Sequence, residues 1–217
     1  MKITALYLAM LFISPVCLAL SAGEYKNNTR LTHLISDYRV SLASLPLNYS
    51  LVEKKQLPGV MLHRYSLNSQ VWSPQGVVSP ERWQNGVDIY IPDAAREKTA
   101  LVVVNNGSND DGSGTPVAPA DFSEHTLLRI ATATKTIVVS VSNVPNQGLS
   151  YQGVTDPLGE DNSVAYSWKL FIKDTQTYQN ASLHIPMAAS VSQAFRLAKK
   201  ELGQQNIAKF IVTGASK

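Results

Sequence analysis

Phe210-Ile211-Val212-Thr213-Gly214-Ala215-Ser216-Lys217 decides how this chain reads: a short apolar, β-branched run passes directly into Gly-x-Ser-x. The run predicts a strand. Small residues before the serine permit the tight strand-to-helix turn, the nucleophile elbow, that lifts a serine oxygen above a sheet. Ser216 is therefore the candidate catalytic nucleophile, and the backbone N–H of Lys217 is the candidate for half of an oxyanion hole. In such turns the partner acid and base come after the serine in the chain, and no upstream residue fits their places by chain order.

Two runs of the same texture lie upstream. Leu101-Val102-Val103-Val104 ends in Asn105-Asn106-Gly107, and Ile137-Val138-Val139 leads into Ser142-Asn143-Val144-Pro145-Asn146-Gln147. Helical spacing predicts helices over 123–134, 161–173 and 187–202, the last closed by Gly203. Strand, helix, strand, helix, strand describes a parallel α/β sheet, and continuous apolar runs describe strands buried on both faces. The loop after Val104 stands where the other half of the oxyanion hole is built, which makes Asn106 and Gly107 the oxyanion candidates. Asn146, Gln147 and Glu160 are candidates for the site rim, because open α/β sheets place ligands outside the carboxyl ends of their strands. Loop capping and turn bonding account equally well for the same three residues.

Nearer the start, 61–92 reads as antiparallel strands, with Val87, Ile89 and Ile91 alternating against Asp88 and Tyr90. Leu31, Leu34, Ile35, Tyr38 and Leu42 predict an amphipathic helix over 29–44, capped by Thr29 and packed on the rest of the domain. Met1-Lys2, an apolar run from Ile3 to Leu20, and the small residues at Ser21-Ala22 read as a cleaved signal peptide. Pro15 interrupts the run and no basic stop-transfer cluster comes after it, which disfavours a membrane anchor. The expected organisation is a signal peptide over 1–22 and one α/β domain over 23–217, exported to the periplasm or secreted.

The chain has 217 residues, 44% of them hydrophobic and 16% charged, which excludes a disordered or collagen-like chain. Its single cysteine is Cys17, inside the leading apolar run, so the region after Ala22 has neither a disulfide nor a thiolate nucleophile. With 19 Lys+Arg against 16 Asp+Glu, scattered rather than gathered in a stripe, nucleic-acid binding is not expected. The membrane is expected to matter only through the signal segment before cleavage.

The imidazoles are His33, His63, His125 and His184. His33 and His125 fall on predicted helices, His63 at the start of a strand and His184 in a turn, and a structural role suits each better than general-base catalysis. Asn109-Asp110-Asp111-Gly112-Ser113-Gly114 has the look of a calcium loop, but Ala120 stands where the twelfth-position glutamate belongs, so a solvated turn is the better reading. No metal and no cofactor are called for. Val212-Thr213-Gly214-Ala215-Ser216 also looks like the opening of a short-chain dehydrogenase. That turn normally comes after the first strand of its domain, whereas here it ends a long α/β region.

An ordered set of segments carries a more specific likeness: Trp83 and Asp88-Ile89-Tyr90-Ile91-Pro92, Val144-Pro145-Asn146-Gln147, Glu160-Asp161 with Ala165-Tyr166, Trp168 and Phe171, Pro186-Met187, and Phe210 to Lys217. Together they resemble the PhoPQ-activated pathogenicity-related protein family. The resemblance implies an α/β-hydrolase-like fold, export, and a link to virulence or envelope stress. It carries over Ser216 as the nucleophile position. The family's elbow continues with Arg-Gly-Trp and a long further half, so the chain as written reads as the first part of such a fold. It is expected to have an incomplete sheet and an open edge strand, to be poorly stable by itself, and to be inactive by itself. Three functions compete: a serine hydrolase acting on a small-molecule or peptide ester or amide, a noncatalytic module that binds a host or envelope protein, and a fragment without function.

Overall fold

The computed structural model describes residues 31–95, 98–110, 114–146 and 148–215. The chain divides into units 1–34 and 35–217. Only residues 31–34 of the first are described, so the expected signal peptide and the Thr29 cap lie outside the described residues. The second unit carries the sheet and the helices packed on it.

Helix α1, Leu34–Ala43, occupies the later part of the predicted leading helix and has no fully buried residue. It is tied down mainly through polar groups: Tyr38 Oη donates to Val71 O at 3.4 Å, and Arg196 donates to Leu42 O and Leu45 O at 3.2 and 2.9 Å. Next come β1 Asn48–Leu57 and β2 Val60–Val71, an antiparallel pair. The sequence pattern did not announce β1. Its edge position leaves Leu51 and Val52 about half exposed or more, beside Glu53, Lys54 and Lys55, and erases the in/out alternation that marks a half-buried strand. The short strand β3, Val78–Ser79, precedes β4, Arg82–Pro92, whose long register with β2 realises the expected antiparallel ribbon.

The parallel part comes next: β5 Thr99–Val104, helix α2 Glu124–Thr134, β6 Ile137–Val141, the short β7 Ser150–Tyr151, helices α3 Glu160–Lys173 and α4 His184–Glu201, and β8 Lys209–Gly214. The main sheet has six strands in the order β1-β2-β4-β6-β5-β8, and β3 pairs with β7 in a separate ribbon. β5 runs parallel to both β6 and β8, while β4 meets β6 antiparallel. Leading antiparallel strands, then parallel strands with helices, make an open α/β-hydrolase-like sheet.

Period-two alternation sorts the core onto two faces. Tyr65, Val87, Ile89, Val102, Ile137 and Val139 pack with Ala194, Leu197 and Ala198 of α4. Leu62, Tyr90, Val103 and Val138 pack with Leu127 and Ala131 of α2 on the opposite face. A third cluster joins Trp72, Val78, Trp83, Tyr151 and Leu183, with Trp72 and Trp83 edge to face at 5.8 Å. Ser123 caps α2 by accepting the Thr126 N–H at 3.3 Å.

The structure corrects four local readings. β8 is not a strand buried on both faces: Ile211 is 60% and Val212 52% exposed. It pairs on one side with β5, and only Phe210 is stacked, ring on ring with Phe195 at 5.0 Å. Helix α4 starts three residues earlier than the sequence suggests, because Pro186 sits in its first turn, where a missing N–H costs nothing. His184 is therefore the opening residue of a helix and not part of a turn. Gly203 does not close α4 either: Leu202 is its C-cap and Gly203–Gln205 form a 3-10 turn.

The end of α4 is anchored to the antiparallel strands by Glu201, which accepts from Tyr49 Oη at 2.6 Å and Tyr65 Oη at 2.8 Å. Partial burial raises this carboxyl's pKa, but the two hydroxyl donors together with the charges of Lys200 and Lys54 outweigh it and hold the group below its ordinary value. A depressed folded-state pKa contributes stability that is present above the unfolded carboxyl's titration and lost as pH falls through the folded one. Glu201→Gln is thus expected to flatten the acid side of the stability curve below the usual glutamate range while leaving the neutral-to-alkaline side parallel to wild type. Urea midpoints collected against pH check this.

Candidate functional site

The parallel strands end together. Val104 pairs with Val141 on one side and with Gly214 on the other, and these are the last register pairs. The strand that leads to Ser216 therefore stops beside the strand that leads to Asn106. Ser216, Lys217 and Gln147 lie outside the described residues. Asn106, Gly107 and Asn146 are described, and the structure brings them into one cluster of loops at this edge.

Asparagine side chains build that cluster. Asn105 is fully buried, and its Oδ1 accepts from Asn106 N at 3.1 Å and Phe122 N at 3.2 Å. Its Nδ2 donates to Phe122 O at 2.8 Å and Ser140 Oγ at 3.3 Å, clamping both ends of the β5–α2 loop. Asn109 Nδ2 donates to Gln84 O at 2.8 Å and Asn146 Oδ1 at 2.7 Å, and its Oδ1 accepts from Asn143 Nδ2. Asn85, also fully buried, donates to Ser142 O and Asn143 O at 3.1 and 2.7 Å and accepts from Ser69 Oγ at 2.7 Å. Carboxamides suit this task because each offers donors and acceptors together, so loop backbone can be buried without orphaned polar groups.

Gly107 is required where it stands. Its φ of +113° is outside what a side chain tolerates, and an added Cβ would lie 2.7 Å from Asn143 Oδ1 and 3.1 Å from Val117 O. Gly107→Ala is expected to cost about 1–3 kcal/mol, the usual scale for imposed backbone strain, read as a lowered urea midpoint of the full-length protein.

Asn146 is 2% exposed and engaged on Gln84 N and Asn109, so it holds the loops of the rim together. Glu160 opens α3, beyond the Leu149–Leu158 bridge. His63, inside β2, faces Tyr65 Oη at 3.4 Å, His184 accepts from Trp168 Nε1 at 3.3 Å, and His33 and His125 are exposed. Of the acidic run after Asn109, residues 111–113 lie outside the described residues; Gly114 N donates to Asp110 Oδ1 at 2.6 Å. Among the described residues no group of three or more His, Cys, Asp or Glu could hold a metal ion. No described helix is long and apolar enough to cross a membrane.

Sequence reasoning did not single out Asn85, Asn105, Asn109 and Asn143 as parts of the site. The signal was available in the asparagines that come after both apolar runs, but a local pattern does not reveal which loops face one another.

Autocrine proliferation repressor protein A of Dictyostelium discoideum is 26% identical over 169 residues, spanning 76% of this chain and 32% of that protein. Solved structures that superpose on the chain include acetyl xylan esterase 1 from a Thermoanaerobacterium species, with a TM-score of 0.47 and 11% identity over 85% of this chain and 50% of that one. Another is an acetyl xylan esterase from a Paenibacillus species, with a TM-score of 0.41 and 11% identity over 86% and 51% of the two chains. The chain thus spans about a third of the curated relative and about half of each esterase. The family model for PhoPQ-activated pathogenicity-related proteins matches residues 35–217, and the chain belongs to that family.

Proposed function

We propose that this chain carries the nucleophile half of an exported serine hydrolase acting on an ester, amide or peptide. The observation that supports it is the register at the carboxyl edge, where the strand preceding Gly214-Ala215-Ser216 ends beside a loop braced by buried carboxamides. In this reading Ser216 Oγ attacks the substrate carbonyl carbon and loses its proton to a general base. The leaving alcohol or amine departs with that proton, and water then releases the acyl group by the same path. The Lys217 N–H and the β5–α2 loop stabilise the oxyanion. The base and its acid come after Ser216 in the full-length protein, in the chain order such elbows use. Export rests on the Met1–Ala22 pattern, and an association with virulence or envelope stress rests on the family's name.

The test is covalent labelling of the full-length protein with a fluorophosphonate, then peptide mass spectrometry. Modification of the peptide containing Ser216 supports the hydrolase. A second reading, a secreted binding module that retains the scaffold without catalysis, draws on the name of the Dictyostelium relative, a proliferation repressor. It predicts no labelling at Ser216.

A further inference from the structure

The geometry points to the side-chain amide of Asn106, and not its backbone N–H, as the oxyanion donor of the β5–α2 loop. This deepens the hydrolase reading and rests on it.

The backbone N–H of Asn106 is already committed, donating to Asn105 Oδ1 at 3.1 Å, and that acceptor is fully buried. The Ser108 N–H is committed as well, to Val117 O at 3.1 Å. Turning the Asn106 N–H toward a substrate would take from the buried Asn105 Oδ1 one of its two donors, leaving Phe122 N alone, so part of any new hydrogen bond would be offset. The Asn106 carbonyl accepts from Asn143 N at 3.1 Å. Its side-chain Oδ1 accepts from two backbone amides, Ala120 N at 2.8 Å and Asp121 N at 3.3 Å. Every polar group of Asn106 is therefore engaged except Nδ2, which has no hydrogen-bond partner among the described residues.

Two donors on Oδ1 hold the carboxamide plane, so Nδ2 is a donor oriented in advance. It sits two residues past Val104, and Val104 is paired with Gly214, the residue two before Ser216. A fixed, unspent N–H donor on the loop that leaves the strand paired with β8 is what stabilising a developing negative charge requires. It needs no reorganisation when the charge appears.

Asn106→Asp isolates the donor, because it keeps the Oδ1 acceptor for Ala120 and Asp121 and replaces only the NH2. In the full-length protein it is expected to lower kcat on p-nitrophenyl acetate by about 10²–10³-fold with KM within about threefold, the scale seen when one oxyanion donor is removed. Its melting temperature should match wild type. Its activity relative to wild type should rise as pH falls through the new carboxyl's titration, since a protonated carboxyl donates again. A purely structural Asn106 would not produce that pH-dependent rescue. Asn106→Ala should lose a similar factor without it.

Wild-type turnover in both variants, with Ser216→Ala inactive, overturns the assignment and leaves the hydrolase standing. A loss in Asn106→Asp that does not vary with pH relative to wild type also overturns it. Turnover that is absent from wild type, or unaffected by Ser216→Ala, removes the hydrolase reading and this inference together.

Discussion

Ser216→Ala is expected to reduce ester turnover by the full-length protein by on the order of 10⁴–10⁶-fold, the range that accompanies deletion of a serine hydrolase's nucleophile. The substitution removes one oxygen from a small side chain on the segment after β8, so folding and substrate affinity should be little changed. Because nucleophile and base act as a unit, the activity left behind measures what the oxyanion donors supply without covalent catalysis. If Ser216→Ala turns over substrate at the wild-type rate, the elbow serine is not the nucleophile, and the noncatalytic reading takes its place. Retained ligand binding in a variant without turnover would separate the two, since a binding module has no chemistry to lose.

Asn105→Ala is the second large effect. Asn105 has no exposed surface, and its carboxamide makes four hydrogen bonds, to Asn106 N, Phe122 N, Phe122 O and Ser140 Oγ. Truncation leaves half-buried backbone donors and an acceptor of the β5–α2 loop without their partner and a cavity where the fully buried side chain stood, each stranded group worth about 1–3 kcal/mol at most, so a net loss of about 3 kcal/mol is expected in urea unfolding of the full-length protein. Asn105→Asp keeps the acceptor for Asn106 N and Phe122 N but removes the donor to Phe122 O, and should fall between wild type and alanine. If the hydrolase reading holds, turnover should fall with Asn105→Ala even where the protein remains folded, because Asn106 and Gly107 lose the contact that fixes the start of their loop. A destabilisation below about 0.5 kcal/mol, the scatter of ordinary surface changes, would mean that the loop is held by other contacts.

Both predictions depend on a sheet whose strands were unequally legible. Runs of β-branched residues at 101–104 and 137–139 place β5 and β6 because a strand buried on both faces has no polar positions to hide it. Helices α2 and α3 are found almost to the residue from helical spacing. The start of α4 was hidden by Pro186, which reads as a breaker unless it is known to sit in a first turn. Phe210-Ile211-Val212 demonstrates that a run records composition and not coverage: the same apolar texture is buried in β6 and largely exposed in β8.

Local pattern alone determined the class of fold and the succession of its parallel strands and their helices, and it singled out Ser216 as the candidate nucleophile. Each of these depends on side-chain periodicity or backbone freedom within a few residues, and such information is carried by neighbours in the chain. Tertiary structure alone decided that β6 inserts between β4 and β5, that Val104 and Gly214 end side by side, and that asparagines from three separate segments brace one another there. Pairing across a sheet is set by which faces must be buried against which helices, and hydrogen bonds between loops far apart in sequence form only after those faces have met.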